Sequence, residues 1–451
     1  MLFRKIFQGS HLKLKSATSA LCPSMIFVIP PYQRPYKWTA KNVNQLISDI
    51  LAFREQKQYR LGTLVLHNNE IVDGQQRIIT LALLIRVMYD ALKDDRVKAS
   101  YSDIYKKIND FADRVSFSNR YSLHNIVENI HTIENRKVDF DQQLFDFLLT
   151  KCEFVVVGLH NISEAFQFFD SQNARGKDLA AHDLLKAYHL REISSLSQED
   201  SRNIDEWQNR PTAFLMEVFQ TLFRAKRWSR GKWARRFTKE YTDIFKGVSL
   251  SDGKRYPFYQ MEVIAHIFSN AYNEDPVRMI DRNHIEYPFN LDDQMINGGR
   301  FFDMIRHYMN LYEHIRQYRK TLPEGSRAKA ILNLITTYNG SGRTGDGYIR
   351  DMFYTLLLYY VDRFGEEELD KVVPQFFIWA YKLRLQLRTV QLASVDNHAS
   401  GSDSLFRQVF DAKTPYDIIN VNMEGVWSKE CSGCEEVKEM FKEYNKYYGN
   451  D

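Results

Sequence analysis

A chain of 451 residues is too long for one ordinary hydrophobic core, so two domains are expected. Hydrophobic residues make up 44% and charged residues 26%, the balance of a soluble globular protein. A net charge of +4 excludes a global field aimed at nucleic acid, so only a local patch could make that contact.

Residues 1–25 read as a loosely ordered lead-in with mixed basic and apolar residues. No long apolar core follows the basic N-terminus and no run is long enough to span a bilayer, so neither a signal peptide nor a membrane segment is expected. The default location is the cytoplasm. Phe27–Ile29 suits a short strand, and the prolines at 30, 31 and 35 make the next segment extended and rigid. Thr39 is placed to cap a helix whose apolar face is Val43, Leu46, Ile47, Ile50 and Leu51.

Leu61–Leu66 reads as a strand, His67-Asn68-Asn69 as a turn, and Glu70–Val72 as the returning strand of a hairpin. Ile78–Met88 is apolar almost all round, with Arg86 the exception, which predicts a buried helix. Residues 90–150 are polar and helical in pattern, an inserted helical section. Phe154–Leu159 is a buried strand, and Ser163 can cap a helix over Glu164–Phe169. A polar turn, Asn173–Asp178, leads to a helix carrying His182, Asp183 and Lys186. Beyond about residue 200 the pattern is almost wholly helical, with strong windows at 212–225, 258–274, 299–320, 328–337, 348–364 and 371–392. The Ser/Gln/Asp-rich stretch 194–203 marks the expected domain boundary.

The densest polar cluster between apolar elements is Asp73-Gly74-Gln75-Gln76-Arg77. Such groups cost free energy if buried unpaired, so the turn needs a reason to hold them. Glycine lets the backbone approach a ligand. The helix N-terminus that follows favours an anion such as phosphate, and Arg77 adds a bidentate fork. Asp73 could hold a metal, a ribose hydroxyl or a water; Gln75 and Gln76 could read a base or orient a nucleophile. A structural turn, in which Asp73 caps the helix and pairs with Arg77, is the alternative. Tyr32, Gln33 and Arg34 could stack on and bind a base or phosphate, with Trp38 in the core. Asn173–Asp178 with Lys186 forms a third polar cluster.

The string Pro30-x-Tyr32-Gln33-Arg34-x-Tyr36-x-Trp38, then Leu61-Gly62-Thr63, Asp73–Arg77, Asn173-x-Arg175-Gly176 and Asp183-Leu184-Leu185-Lys186 occur in an order and spacing that resemble one family. It is the N-terminal domain of GmrSD-type modification-dependent restriction systems, with the fold of ParB-like nucleases and sulfiredoxin. The resemblance covers roughly residues 25–192, with a weaker echo at Asn297–Phe302. It implies that Asp73, Gln75, Gln76 and Arg77 bind and hydrolyse a nucleoside triphosphate, with or without Mg. Tyr32, Gln33, Arg34 and Gly74 would share the cleft, and Asn173, Arg175 and Lys186 would close it. Many such systems also carry a His-based nuclease module. Neither His284 nor His398 sits in a His-Asn-His arrangement, so no metal site is assigned, and either a partner nuclease subunit supplies cleavage or this chain only senses.

Arg224, Lys226, Arg227, Arg230, Lys232, Arg235, Arg236 and Lys239 run without an acidic residue between them, interleaved with Trp228, Trp233 and Phe237. Basic side chains with aromatics suit a phosphate backbone and unstacked bases. Arg227, Trp228, Arg230, Lys232, Arg235 and Arg236 are the candidates for DNA contact; a solvated helix face anchored by its tryptophans is the alternative. Gly340-x-Gly342-x-x-Gly345 lacks a βαβ context and reads as a mobile surface loop. Arg384 and Arg388 read as an exposed basic stripe, and Cys431-x-x-Cys434 as a surface turn rather than a zinc site.

The expected fold is α+β: a small mixed-sheet, ParB/sulfiredoxin-like nucleotide-binding domain at 1–195 with a helical insertion at about 90–150, then an α-helical domain at 196–451. The expected function is a nucleotide-binding and hydrolysing DNA-defence protein that acts on or senses DNA. The alternative is a non-enzymatic DNA-binding module working through a partner nuclease, with direct nicking by the ParB-like domain a weaker third reading.

Overall fold

The computed structural model describes residues 11–16, 29, 36–67, 70–114, 120–159, 180–193, 198–250, 256–281, 283–427 and 431–448. It divides into two compact units, Met1–Arg210 and Pro211–Asp451.

The first unit is organised on a mixed four-stranded sheet in the order β1-β4-β2-β3, with β1 His11–Ser16, β2 Tyr59–His67, β3 Glu70–Asp73 and β4 Cys152–Leu159. The β-branched run Val155–Val157 puts β4 inside the sheet, antiparallel to β1 and parallel to β2. The β2–β3 pair is the expected hairpin, antiparallel, with its register shifted between Val65 and Leu66. Strand β1 corrects the reading of residues 1–25 as a loosely ordered lead-in. Leu12 and Leu14 alternate with lysines, a period of two, and the pairing partner lies far downstream.

Because β2 and β4 are parallel, the chain must cross over between them. It does so through α2 Gln75–Ala91, α3 Asp95–Arg114, α4 Arg120–Glu134 and α5 Gln142–Thr150, while α1 Ala40–Ala52 precedes the sheet crossing. Thr39 begins α1 as expected, its N–H donating to Asn42 Oδ1. Helix α2 is buried on almost every side: within 78–88 Arg86 is exposed, Leu83 is half-buried and the rest are buried. Its Ile78, Leu81, Ile85 and Met88 share one core with Ile47 of α1, Phe111 of α3, Ile133 of α4, Phe145 of α5 and Phe154 of β4. The 90–150 section is therefore not an appendage, since it covers the faces of α2 that the sheet leaves open. Helices α6 Ala181–Arg191 and α7 Gln198–Asn209 complete the unit.

The second unit is helical: α8 Thr212–Trp228, α9 Gln260–Glu274, α10 Pro276–Ile280, α11 Gly299–Gln317, α12 Arg327–Thr337, α13 Thr344–Phe364, α14 Leu369–Gln386, α15 Leu392–Ser400, α16 Leu405–Asp411, α17 Pro415–Ile419 and α18 Glu435–Glu443. Its core is aromatic, with Phe219, Phe223, Tyr308, Phe353, Tyr359, Tyr360, Phe376, Phe377 and Tyr381 all buried. Among the described residues no helix is long and apolar enough to cross a membrane.

Three expectations are corrected here. Arg384 is buried, not part of an exposed stripe: Nη1 lies 3.1 Å from Asp346 Oδ2, and Nη2 donates to the carbonyls of Leu387 and Arg388. The Gly340–Gly345 segment is not a loose loop. Arg343 Nε donates to Gly340 O, and a Cβ on Gly345 would stand 2.5 Å from Val390 O. Cys431 and Cys434 are joined in a disulfide and are both buried, rather than forming a surface turn. Arg343 Nη1 donates to Ser432 O, which ties that turn to the glycine segment.

Candidate functional site

Strand β3 delivers Ile71 and Val72 into the core and stops at half-buried Asp73. Gly74, not Asp73, is the N-cap of α2, with φ +99°. A Cβ there would sit 2.9 Å from Leu64 Cδ1 and 3.1 Å from Thr63 O, so only glycine lets the turn close onto β2. The first turn of α2 holds no acidic residue, so the positive end of its dipole is not offset from within the helix.

The two glutamines differ in what they do. Gln76 Oε1 accepts from the backbone N–H of Lys37 (2.7 Å) and of Trp38 (3.2 Å). Its own carbonyl accepts from Thr80 Oγ1, which also bonds Tyr36 Oη at 2.7 Å. From the other side, α4 holds the same segment: Asn129 Nδ2 donates to Tyr36 Oη and Trp38 O, and Asn125 Nδ2 to Tyr36 O. Tyr36–Trp38 is thus clamped between two helices, and burial raises the Tyr36 hydroxyl pKa. Gln75 is 3% exposed, yet among the described residues its Oε1 has no hydrogen-bond partner. A buried acceptor left unsatisfied is costly and needs a reason.

Arg77 is half-buried, and its guanidinium rests on Gly62 of β2, where φ is +126°. A Cβ on Gly62 would stand 2.8 Å from Nη1. Among the described residues no carboxylate pairs with Arg77, so the expected alternative of an Asp73–Arg77 pair is not what holds this turn.

Lys186 on α6 is 4% exposed, and burial pushes its pKa down to about 8, against the upward pull of Asp183 and Asp205. One turn earlier His182 is buried too; desolvation lowers its pKa while Asp183, 3.6 Å away, opposes that. The charge of Lys37 acts on both groups. Lys37 therefore links the clusters: its N–H is bound by Gln76 and its charge reaches α6. The sequence reading missed Lys37 and His182 as site residues, although the four-residue spacing of His182 and Lys186 shows that they share a helix face. Tyr32, Gln33, Arg34, Asn173 and Arg175 lie outside the described residues, as do the expected turn at Asn68-Asn69 and the helix at 164–169.

The basic stretch is only half a surface. Trp228 is fully buried and its indole Nε1 donates to Asp396 Oδ1 at 2.9 Å, so it cannot stack on a base. Lys226 is also enclosed; burial pushes its pKa down to about 8. Arg227 lies over the rings of Phe223 and Tyr241, Arg230 pairs with Asp292 at 3.4 Å, and Arg235 with Asp396 at 3.3 Å. Helix α8 ends at Trp228, and Gly231 at φ +65° turns the chain, so 229–239 is not a helix face. Lys232, Trp233 and Arg236 remain exposed, and among the described residues neither cation has an ion-pair partner.

Asn297–Phe302 proves to be a structural start for α11. The Asn297 amide bonds both backbone groups of Gly247, and Arg300 bonds His266, Asn270 and Asp303 while lying over the Tyr287 ring. His284 is exposed; His398 is stacked on Trp379, and burial pushes its pKa down to about 4.

Residues 5–190 match the GmrSD restriction endonuclease N-terminal domain, a match to the first unit that supports a restriction-type DNA-defence protein. Residues 199–436, more than half the chain, match a second family, one of unknown function (DUF7834), to which the chain belongs. No curated protein matches the chain.

Proposed function

We propose that the protein is a nucleotide-dependent DNA-defence protein whose nucleoside triphosphate is held at the Asp73–Arg77 turn. The observation that carries this is Arg77: a half-buried guanidinium, with no carboxylate partner among the described residues, at the N-terminus of a 17-residue buried helix. A cation with no carboxylate partner among the described residues, set at a helix N-terminus, is an anion site by its physics. In this reading Arg77 and the first-turn N–H groups of α2 take phosphate oxygens, and Lys186 supplies a second cation. The Gln75 side-chain oxygen takes a sugar or base edge, and Asp73 holds Mg or a ribose hydroxyl. Gln76 acts as a positioning residue, because its carbonyl oxygen is committed to the Tyr36–Trp38 segment. The β2–β3 hairpin running into α2 supports the ParB/sulfiredoxin-like assignment. DNA contact falls to Lys232, Trp233 and Arg236 in the second unit.

Titration calorimetry of the full chain with ATP and with GTP tests the site. Binding is expected for the wild type and lost in Arg77→Ala with the fold intact. A wild type that binds neither nucleotide sinks the proposal. Phosphate release with and without DNA then separates a hydrolase from a binding module that works through a partner nuclease.

A further inference from the structure

Eight large apolar side chains between residues 256 and 280 are exposed: Tyr256, Phe258, Met261, Ile264, Ile267, Phe268, Val277 and Ile280. Scattered surface hydrophobes are ordinary, but a contiguous set is not. On α9 the outward positions are Met261, Ile264, Ile267, Phe268 and Ala271, bounded by Gln260 and Glu274. Residues 261, 264, 268 and 271 step by three, four and three, with 260, 267 and 274 flanking them. That is the a, d and g spacing of a helix seam made to receive another helix. The opposite face of α9 is already anchored. Val263 and Ser269 are buried, Arg300 binds His266 and Asn270, and Asn273 exchanges hydrogen bonds with Ile285. The seam is therefore a fixed surface on a held helix.

We infer that this seam is the two-fold interface of a homodimer, with α9 packed antiparallel against α9 of a second copy. Between its end residues the stripe carries no charge, so two copies meet without like-charge repulsion, and a two-fold interface requires such self-complementarity. In the antiparallel register that sets Ile264 against Phe268, Met261 faces Ala271 and large opposes small. The same register sets Glu274 and Asp275 of one copy opposite Phe258 and Pro257, just ahead of the N-terminus of the other's α9, the end of a helix that favours acids. The four large seam side chains offer on the order of 500 Å² of apolar surface, and the flanking Tyr256, Phe258, Val277 and Ile280 bring the exposed set to about 1,000 Å², against roughly 800 Å² per partner in a standard stable interface.

Sedimentation velocity on the full chain tests this. The wild type is expected at twice the 53.3 kDa chain mass, and Ile264→Glu or Phe268→Glu at the single-chain mass, the dimer weakened at least ~100-fold. Both positions are exposed, so thermal unfolding of the isolated variants should be no earlier than that of dissociated wild type. Mixing Ile264→Glu chains with Phe268→Lys chains should restore a heterodimer, because the register opposes those two positions. A wild type that stays monomeric to ~100 μM, with the face covered from within the chain or by a foreign partner, overturns the inference; so do glutamate variants that remain dimeric. Failure of the mixture to pair overturns the antiparallel register.

Discussion

The guanidinium of Arg77 occupies the space that any side chain at Gly62 would fill, with an added Cβ 2.8 Å from Nη1. This relationship explains why Leu61-Gly62-Thr63 and Asp73–Arg77 belong to one device though they lie on different elements. Gly62 makes room for the arginine. Gly74 lets the turn press on Thr63 and Leu64. Both glycines also adopt positive φ, which side-chain-bearing residues reach only with strain.

Gly62→Ala should therefore act on the site through Arg77. The expected stability loss is about 1–3 kcal/mol from the backbone strain alone. Nucleotide affinity should fall as far as in Arg77→Ala, which itself should leave the melting temperature nearly unchanged. Calorimetry beside thermal unfolding of the two variants checks this. Gly62→Ala with full affinity would show that the guanidinium does not need that seat.

The two glutamines should separate cleanly. Gln76→Ala strands the N–H groups of Lys37 and Trp38, each partly buried, and should cost about 1–3 kcal/mol of stability. Gln75→Ala removes a buried acceptor that has no partner among the described residues, so stability should hold or rise while ligand affinity drops. Chemical denaturation and binding isotherms on the pair measure both effects. Equal destabilisation by the two substitutions would contradict the division of roles.

Lys186 predicts a pH dependence. Its folded pKa, about 8, lies below that of an unfolded lysine, so between that pH and about 10.5 the unfolded chain holds the extra proton. Its contribution to stability consequently rises with pH across that window. Its contribution to anion binding runs the other way, since the ammonium is lost as pH climbs through about 8. Nucleotide affinity should fall from pH 7 to 9 in the wild type and stay flat in Lys186→Met. The stability profile alone is not diagnostic, because Lys226 shares the same depressed range.

Much of the first unit was legible because its signals are local. The run Val155–Val157 marks an inner strand, the all-round apolar 78–88 segment marks a central helix, and Thr39 opens α1. What was not legible depends on distant partners. Nothing near Trp228 says that its indole is claimed by Asp396, whereas Trp233, five residues on, is left in solvent. Gln76 reads like Gln75 until Lys37 and Trp38 are folded against it. Arg384 looks like one member of a basic stripe until Asp346 is brought beneath it.

That last pair should be among the costlier features of the second unit to break. Asp346 is buried and receives Arg343, Arg384 and Tyr338. Arg384→Ala leaves a buried carboxylate short of its main cation and should cost about 3–5 kcal/mol. Adding Asp346→Asn should recover part of that loss, as a double-mutant cycle by urea denaturation would read out. Strict additivity would mean that the two side chains do not interact in solution.

The exposed loop beyond α8 makes the final case. If DNA binds through Lys232, Trp233 and Arg236, the three substitutions should fail differently. Lys232→Glu and Arg236→Glu remove phosphate contacts, so each should weaken binding at every sequence and lower the salt slope by about one unit. Trp233→Ala should leave the slope unchanged but cost about 1–3 kcal/mol on single strands, where a base can stack on the indole. Trp228→Phe tests the correction: it removes the donor to Asp396 and should lower stability without a specific effect on DNA. Fluorescence anisotropy over a salt series on duplex and single-stranded oligonucleotides distinguishes these outcomes. A charge-reversed loop with an unchanged salt slope would move the DNA surface elsewhere on the protein.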